Sequence, residues 1–292
     1  MRLNKVMLVG IFLLAILTLG AVSAQEGSSA DVLAVDSASS PVLGDGVSYD
    51  KAIYVNTTGD DSNSGSQTSP YATINKGISS VNASDNAVIY LSEGTFTGDN
   101  NTDLSINLAH KNYNGSLTFV GRGYDKTFID GEQMAPIFKS MSGDSIIVFK
   151  NIAFINGKAN TGGAITSNAV LTIDNCLFED NYATGYNGGA IYQQSNDFKV
   201  TNSIFRNNSV NSYGGSIFAS SMQNAQLMNC VFENSIARST YCSGAGAYID
   251  AYNSTIIKNN RFVNISTSGN AKDAALYANS GYNGNGIIVN NT

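Results

Sequence analysis

The side chains able to do chemistry are few and recur at a wide interval. Glu179, Arg206 and Glu233 stand 27 residues apart, each directly after a phenylalanine. Brought onto one surface they form an acid–base–acid row, continued at its ends by Ile155 and Val263. Such a row reads first as a ladder of ion pairs that avoids stacking like charges. A catalytic reading would make Arg206 a base flanked by two carboxylates, since sugar-bond chemistry needs clustered acids or a Ca²⁺ site beside a base. The single histidine, His110, reads as a surface or loop residue. Asp60, Asp61 and Asn63 miss the spacing of a calcium loop and read as turn residues. Cys176 and Cys230 fall at one repeat position two turns apart, ~9.6 Å, beyond disulfide reach, which makes them separate packed thiols. A bridge from Cys230 to Cys242 stays open, and the odd count leaves at least one free thiol. No catalytic residue, cofactor motif or metal-ligand set is assigned.

A second group could bind rather than react. Tyr186, Asn187, Tyr213 and Tyr241 sit in polar loops at equivalent repeat positions, where stacking would line them along one side. Rings carrying hydroxyls beside amides suit a contact strip for glycans or for surface proteins of other cells. Ordinary solvent-facing tyrosines are the alternative, and the absence of Trp weighs against sugar stacking.

Both groups depend on one element, the repeat. Segments 147–154, 171–178, 198–205, 225–232 and 255–262 each carry an Asn followed three residues later by Phe. The Asn residues are Asn151, Asn175, Asn202, Asn229 and Asn259, spaced by 24, 27, 27 and 30. Apolar residues before each Asn alternate with period two, which is strand periodicity. A further Asn follows each Phe two or three residues on (Asn156, Asn181, Asn208, Asn234, Asn264), then a variable loop, then Gly-Gly-Ala-Ile at 162–165 and 188–191 and Gly-Gly-Ser-Ile at 214–217. Strands returning every ~25 residues without a crossover helix fit a coil in which each repeat is one turn, paired in parallel with the next at ~4.8 Å. Equivalent residues then stack: Asn amides bond along a structural column inside the turn, Phe rings fill the narrow core, and paired Gly allows a corner with positive φ.

The combination of Gly-Gly-Ala-Ile with Phe-x-x-Asn resembles the repeat of polymorphic outer membrane proteins, shared with adhesin-like surface proteins of archaea. The resemblance covers about residues 145–292. It implies an all-β chain forming a single-stranded right-handed parallel β-helix, the solenoid also adopted by pectate lyases, with a short N-terminal capping helix. It also implies a role at the cell surface.

The rest of the chain is organised around that coil. Arg2 and Lys5 precede an apolar run to Leu19, and Val22-Ser23-Ala24 offers a cleavage site, so 1–24 reads as a signal peptide. Residues 25–50, rich in Ser, Ala, Gly and Asp, read as a flexible linker. Residues 51–144 read as the cap and irregular first coils: a strand at 52–55, a helix capped by Ser69 with Pro70 at its first position and Ile74, Ile78 and Val81 on its apolar face, then strands at 88–91, 117–120 and 128–129. Residues 145–292 are the regular repeats, the last one truncated, which suggests end-on stacking or a longer protein. A net charge of −6 with 13% charged residues argues against nucleic acid, and no segment of the mature chain is apolar enough to span a membrane. The expected function is a secreted or cell-surface adhesin-like protein displaying variable loops. A polysaccharide lyase or hydrolase on the same coil and a purely structural envelope component are the alternatives.

Overall fold

The computed structural model describes residues 48–107, 115–142, 145–239, 242–268, 275–281 and 284–292, all within one compact unit, Ser40–Thr292. The expected signal peptide, most of the linker, His110 and Tyr241 lie outside the described residues.

The chain winds as a right-handed parallel β-helix, and every ladder in it is parallel. One turn shows the construction. Face one is Val170–Asp174, and Asn175 makes the first corner. Face two is Leu177–Glu179, and Asp180 makes the second corner. Face three is Tyr182–Ala183. A loop then leads to Gly188-Gly189 and to face four, Ile191–Gln194. In later turns faces four and one merge, because Ile217–Met228 and Ala247–Lys258 each run through both as one 12-residue strand.

Register stacks identical roles. On face one Phe149, Ile173, Val200, Leu227 and Ile257 are partners in sequence and all buried. On face two Phe154, Phe178, Phe205, Phe232 and Phe262 form a column with ring centroids 4.8–4.9 Å apart and planes within 10°. Each fully buried ring contributes about 1.5–3 kcal/mol by leaving water, and each stacked pair adds ~0.5–1.5 kcal/mol.

Both corners turn through the left-handed region, which Asn tolerates best among residues with a side chain. Asn151, Asn175, Asn202, Asn229, Asn259 and Asn290 all have φ between 52° and 60°. They lie on the outside of the coil, a correction to the inner column expected from sequence. The buried polar ladder is a different one. Asn181 donates from its backbone N–H and from Nδ2 to Asn208 Oδ1, and its own Oδ1 accepts from Gly157 N–H at 2.8 Å. Asn208 in turn donates to the Phe178 carbonyl and to Ser216 Oγ.

The glycine pairs divide two tasks. The first member supplies positive φ, as at Gly188 (72°) and Gly214 (67°). The second supplies space between turns: a Cβ on Gly189 would collide with the carbonyl oxygen of Gly215, and one on Gly215 with that of Ala245.

The capping helix is Ile74–Ser79, with Ile74, Ile78 and Val81 buried as expected. Its N-cap is Thr73, whose Oγ1 accepts from Lys76 N–H at 3.2 Å. The expectation of Ser69 is corrected by tertiary pairing. Tyr71 bonds to Tyr54 and Asn56 of the first-strand region, and the Asp61 carboxylate accepts from the N–H groups of Ala72 and Thr73, holding the Pro70 segment extended. Tyr49, from the end of the expected linker, packs with Val88 and Val120 on the outer surface of face one.

Candidate functional site

The acid–base–acid row is in register: Glu179 pairs with Arg206, and Arg206 with Glu233. Arg206 Nε donates to Glu179 Oε1 at 2.6 Å, and that bond is the main reason its guanidinium is held further toward the charged form. Glu233 is taken by Arg261, at 2.8 Å. Alternating charge along the axis is what a ladder of ion pairs provides. Among the described residues no three His, Cys, Asp or Glu side chains converge to hold a metal. Asp60 and Asp61 serve turns: Asp60 accepts from the N–H and hydroxyl of Ser62.

Cys176, Cys230 and Cys242 are all free and buried. Burial pushes the thiols of Cys176 and Cys230 up to about 12. Ser203 lies between them in the column, its hydroxyl accepting from Cys176 N–H.

The amide column at the first corner is bonded in two segments. Asn175 Nδ2 donates to Asn151 Oδ1 at 2.7 Å. Asn202 turns instead to the carboxylate of Asp174, at 2.8 Å. Asn229 then donates to Asn202, Asn259 to Asn229 and Asn290 to Asn259, at 3.1–3.2 Å.

The loop tyrosines occupy different environments. Tyr186 is 66% exposed. Gly162 N–H bonds to the Asn187 carbonyl and Gly188 N–H to the Tyr213 carbonyl, so Asn187 rather than Tyr186 is level with Tyr213. Asn187 Oδ1 accepts from Tyr213 N–H at 3.2 Å. The Tyr213 ring is half-buried against Ala183, Val210 and Ala245.

Sequence reasoning missed the more ordered aromatic feature. Tyr192, Phe218, Tyr248 and Tyr277 are register partners on the outer surface of face four. Their rings stack at 5.6, 4.7 and 4.3 Å, with planes within 20°, and Tyr213 meets Tyr248 edge-on at 6.2 Å. The signal lies directly after the glycine motif, where each turn places one residue after the inward Ile, Ala or Leu. Because the rings stack along the coil axis, their faces cover one another, and Phe218 is buried between its neighbours. Burial, with Tyr277 and Asp250 adding, pushes the Tyr248 hydroxyl up to about 12.

Among the described residues no helix is long and apolar enough to cross a membrane. No family model and no curated protein matches the chain. Among solved structures it is similar to a rhamnogalacturonan lyase, at 12% identity and a TM-score of 0.33, over 82% of this chain and 63% of that one. The chain thus spans less than two thirds of that structure's length.

Proposed function

We propose that this protein is a secreted or cell-surface attachment protein, a coil whose outer surfaces engage glycans or proteins of other cells. The observation that carries the reading is the aromatic column Tyr192–Phe218–Tyr248–Tyr277 on the outside of face four, flanked by Tyr213 and the exposed Tyr186. The core is complete without these rings, since the inward residues of the same strands already fill it. Tyrosine rings with their hydroxyls give rigid contact area and hydrogen bonds at low entropic loss. One such contact per turn is weak, and repetition along the coil sums them.

The test is binding of the purified protein to a glycan array and to intact microbial and host cells, with Tyr186→Ala and Tyr248→Phe variants. The expected result is saturable binding that Tyr248→Phe weakens several-fold. Absence of binding to every surface, or steady depolymerisation of a polysaccharide by the protein, overturns the reading.

A further inference from the structure

A groove of about 550 Å³ runs along the second corner, between faces two and three, remote in register from the aromatic face four. Its wall is built from one residue per turn: Gln133, Asn156, Asp180 and Asn207. Its floor carries Tyr182, and Arg238 reaches back from two turns later to lie 5.5 Å from the centre of the Tyr182 ring.

Three features mark it as more than a fold of the surface. First, the corner row is amide at Asn156, Asn207, Asn234 and Asn264, and carboxylate only at Asp180. The row bonds onward through its amides, Asn234 to Asn207 at 2.9 Å and Asn264 to Asn234 at 3.3 Å. No donor among the described residues reaches the Asp180 carboxylate, because Arg206 is spent on Glu179. Second, Arg238 is exposed, and its guanidinium lies over a ring face rather than against an acid. A guanidinium resting on an aromatic ring keeps its planar fork of donors free for a bidentate anion. Third, Lys158 is the register partner of Tyr182 one turn earlier and is also exposed, which places a second cation on the neighbouring turn of face three.

We infer that this groove binds an anionic sugar residue: its carboxylate or sulfate on the Arg238 fork, its hydroxyls on Asp180 and the flanking Asn156 and Asn207 amides. Carboxylate and amide acceptors suit vicinal hydroxyls, and the groove holds one or two sugar rings. The chain's net charge of −6 disfavours generic anion binding, so the contact depends on the geometry of the Arg238 fork.

The experiment is titration of the full chain with sialyllactose, a galacturonate trisaccharide, a sulfated lactose and neutral lactose, followed by calorimetry and by ligand-observed NMR. At least one anionic sugar is expected to bind about tenfold or more above lactose, with affinity falling as salt rises. The three anionic probes separate carboxylate from sulfate. Arg238→Gln, at an exposed position, should reduce that binding about tenfold with an unchanged melting temperature. Asp180→Asn, which restores the corner's usual residue, should fold normally and weaken binding several-fold. Equal affinity for neutral and anionic sugars overturns the assignment, as does anionic binding that survives Arg238→Gln. Binding lost in Tyr248→Phe but retained in Arg238→Gln overturns it too, and assigns the ligand to face four.

Discussion

Asn229 isolates what a corner asparagine contributes. Its Nδ2 donates to Asn202 Oδ1 and its Oδ1 accepts from Asn259 Nδ2, both at 3.1 Å, and its φ is 56°. Alanine at this site deletes both bonds and leaves a Cβ in the left-handed region without a polar group to support it. The side chain is exposed, so each bond is worth about 0.5 kcal/mol, the low end for hydrogen bonds. The backbone conformation costs alanine about 1 kcal/mol. Asn229→Ala should therefore destabilise by about 2 kcal/mol. Asn229→Gly loses the same bonds but not the conformation, and gains chain entropy when unfolded, for about 1–1.5 kcal/mol in all. The assay is equilibrium urea unfolding followed by far-UV circular dichroism and tyrosine fluorescence, the chain having 15 Tyr and no Trp. The Asn202→Ala, Asn229→Ala double variant should fall short of additivity, because the two share a bond. Alanine as stable as the natural residue would show that neither ladder nor conformation matters. Glycine less stable than alanine would refute the conformational part alone.

Other outcomes follow from the same geometry. Phe205→Ala, removing the middle ring of a buried column, should destabilise by about 3–5 kcal/mol in the same assay; a loss under about 1 kcal/mol would mean that the column collapses around the gap. Gly189→Ala forces a Cβ into the neighbouring turn and should block soluble folding or lower the melting temperature sharply, whereas a normal melt would contradict the close approach of turns. The thiols of Cys176 and Cys230 should resist an aromatic disulfide reagent in the native state and react on unfolding. Their folded pKa is raised to about 12 from an ordinary value near 9, so the stability they lend is complete below pH 9 and is lost as pH climbs toward 12. Cys176→Ser should move the onset of alkaline unfolding upward, and an unchanged alkaline limb would show that thiol ionisation plays no part.

Much of the fold was written in the spacing. An interval of 24–30 residues with strand alternation admits no sandwich or helical repeat, and the Phe column and face-one column follow directly from it. Corner Asn and the first Gly of each pair were legible because left-handed backbone selects those residues on local grounds. The direction in which each side chain points was not. A left-handed residue breaks the period of two, so alternation stops at every corner. Asn207 and Asn208 are neighbours of one type, yet the first faces water and the second is fully buried. The column Asn151–Asn259 was placed inside the coil for the same reason, and lies outside it.

The candidate surfaces were legible only in part. The register of Glu179, Arg206 and Glu233 was fixed by the equal 27-residue interval. Loop length differs between turns, so the level of Tyr186 against Tyr213 was decided by backbone bonds that close each loop onto the next. Arg238 over Tyr182 joins residues 56 apart in the chain, a reach that depends on which face each strand presents. Sequence alone determined that this chain coils and which residues of faces one and two share a column, because stacking there needs only a repeating interval. Tertiary structure alone decided which columns meet water and which neighbouring columns form a groove, because those depend on corner angles and loop closure summed over several turns.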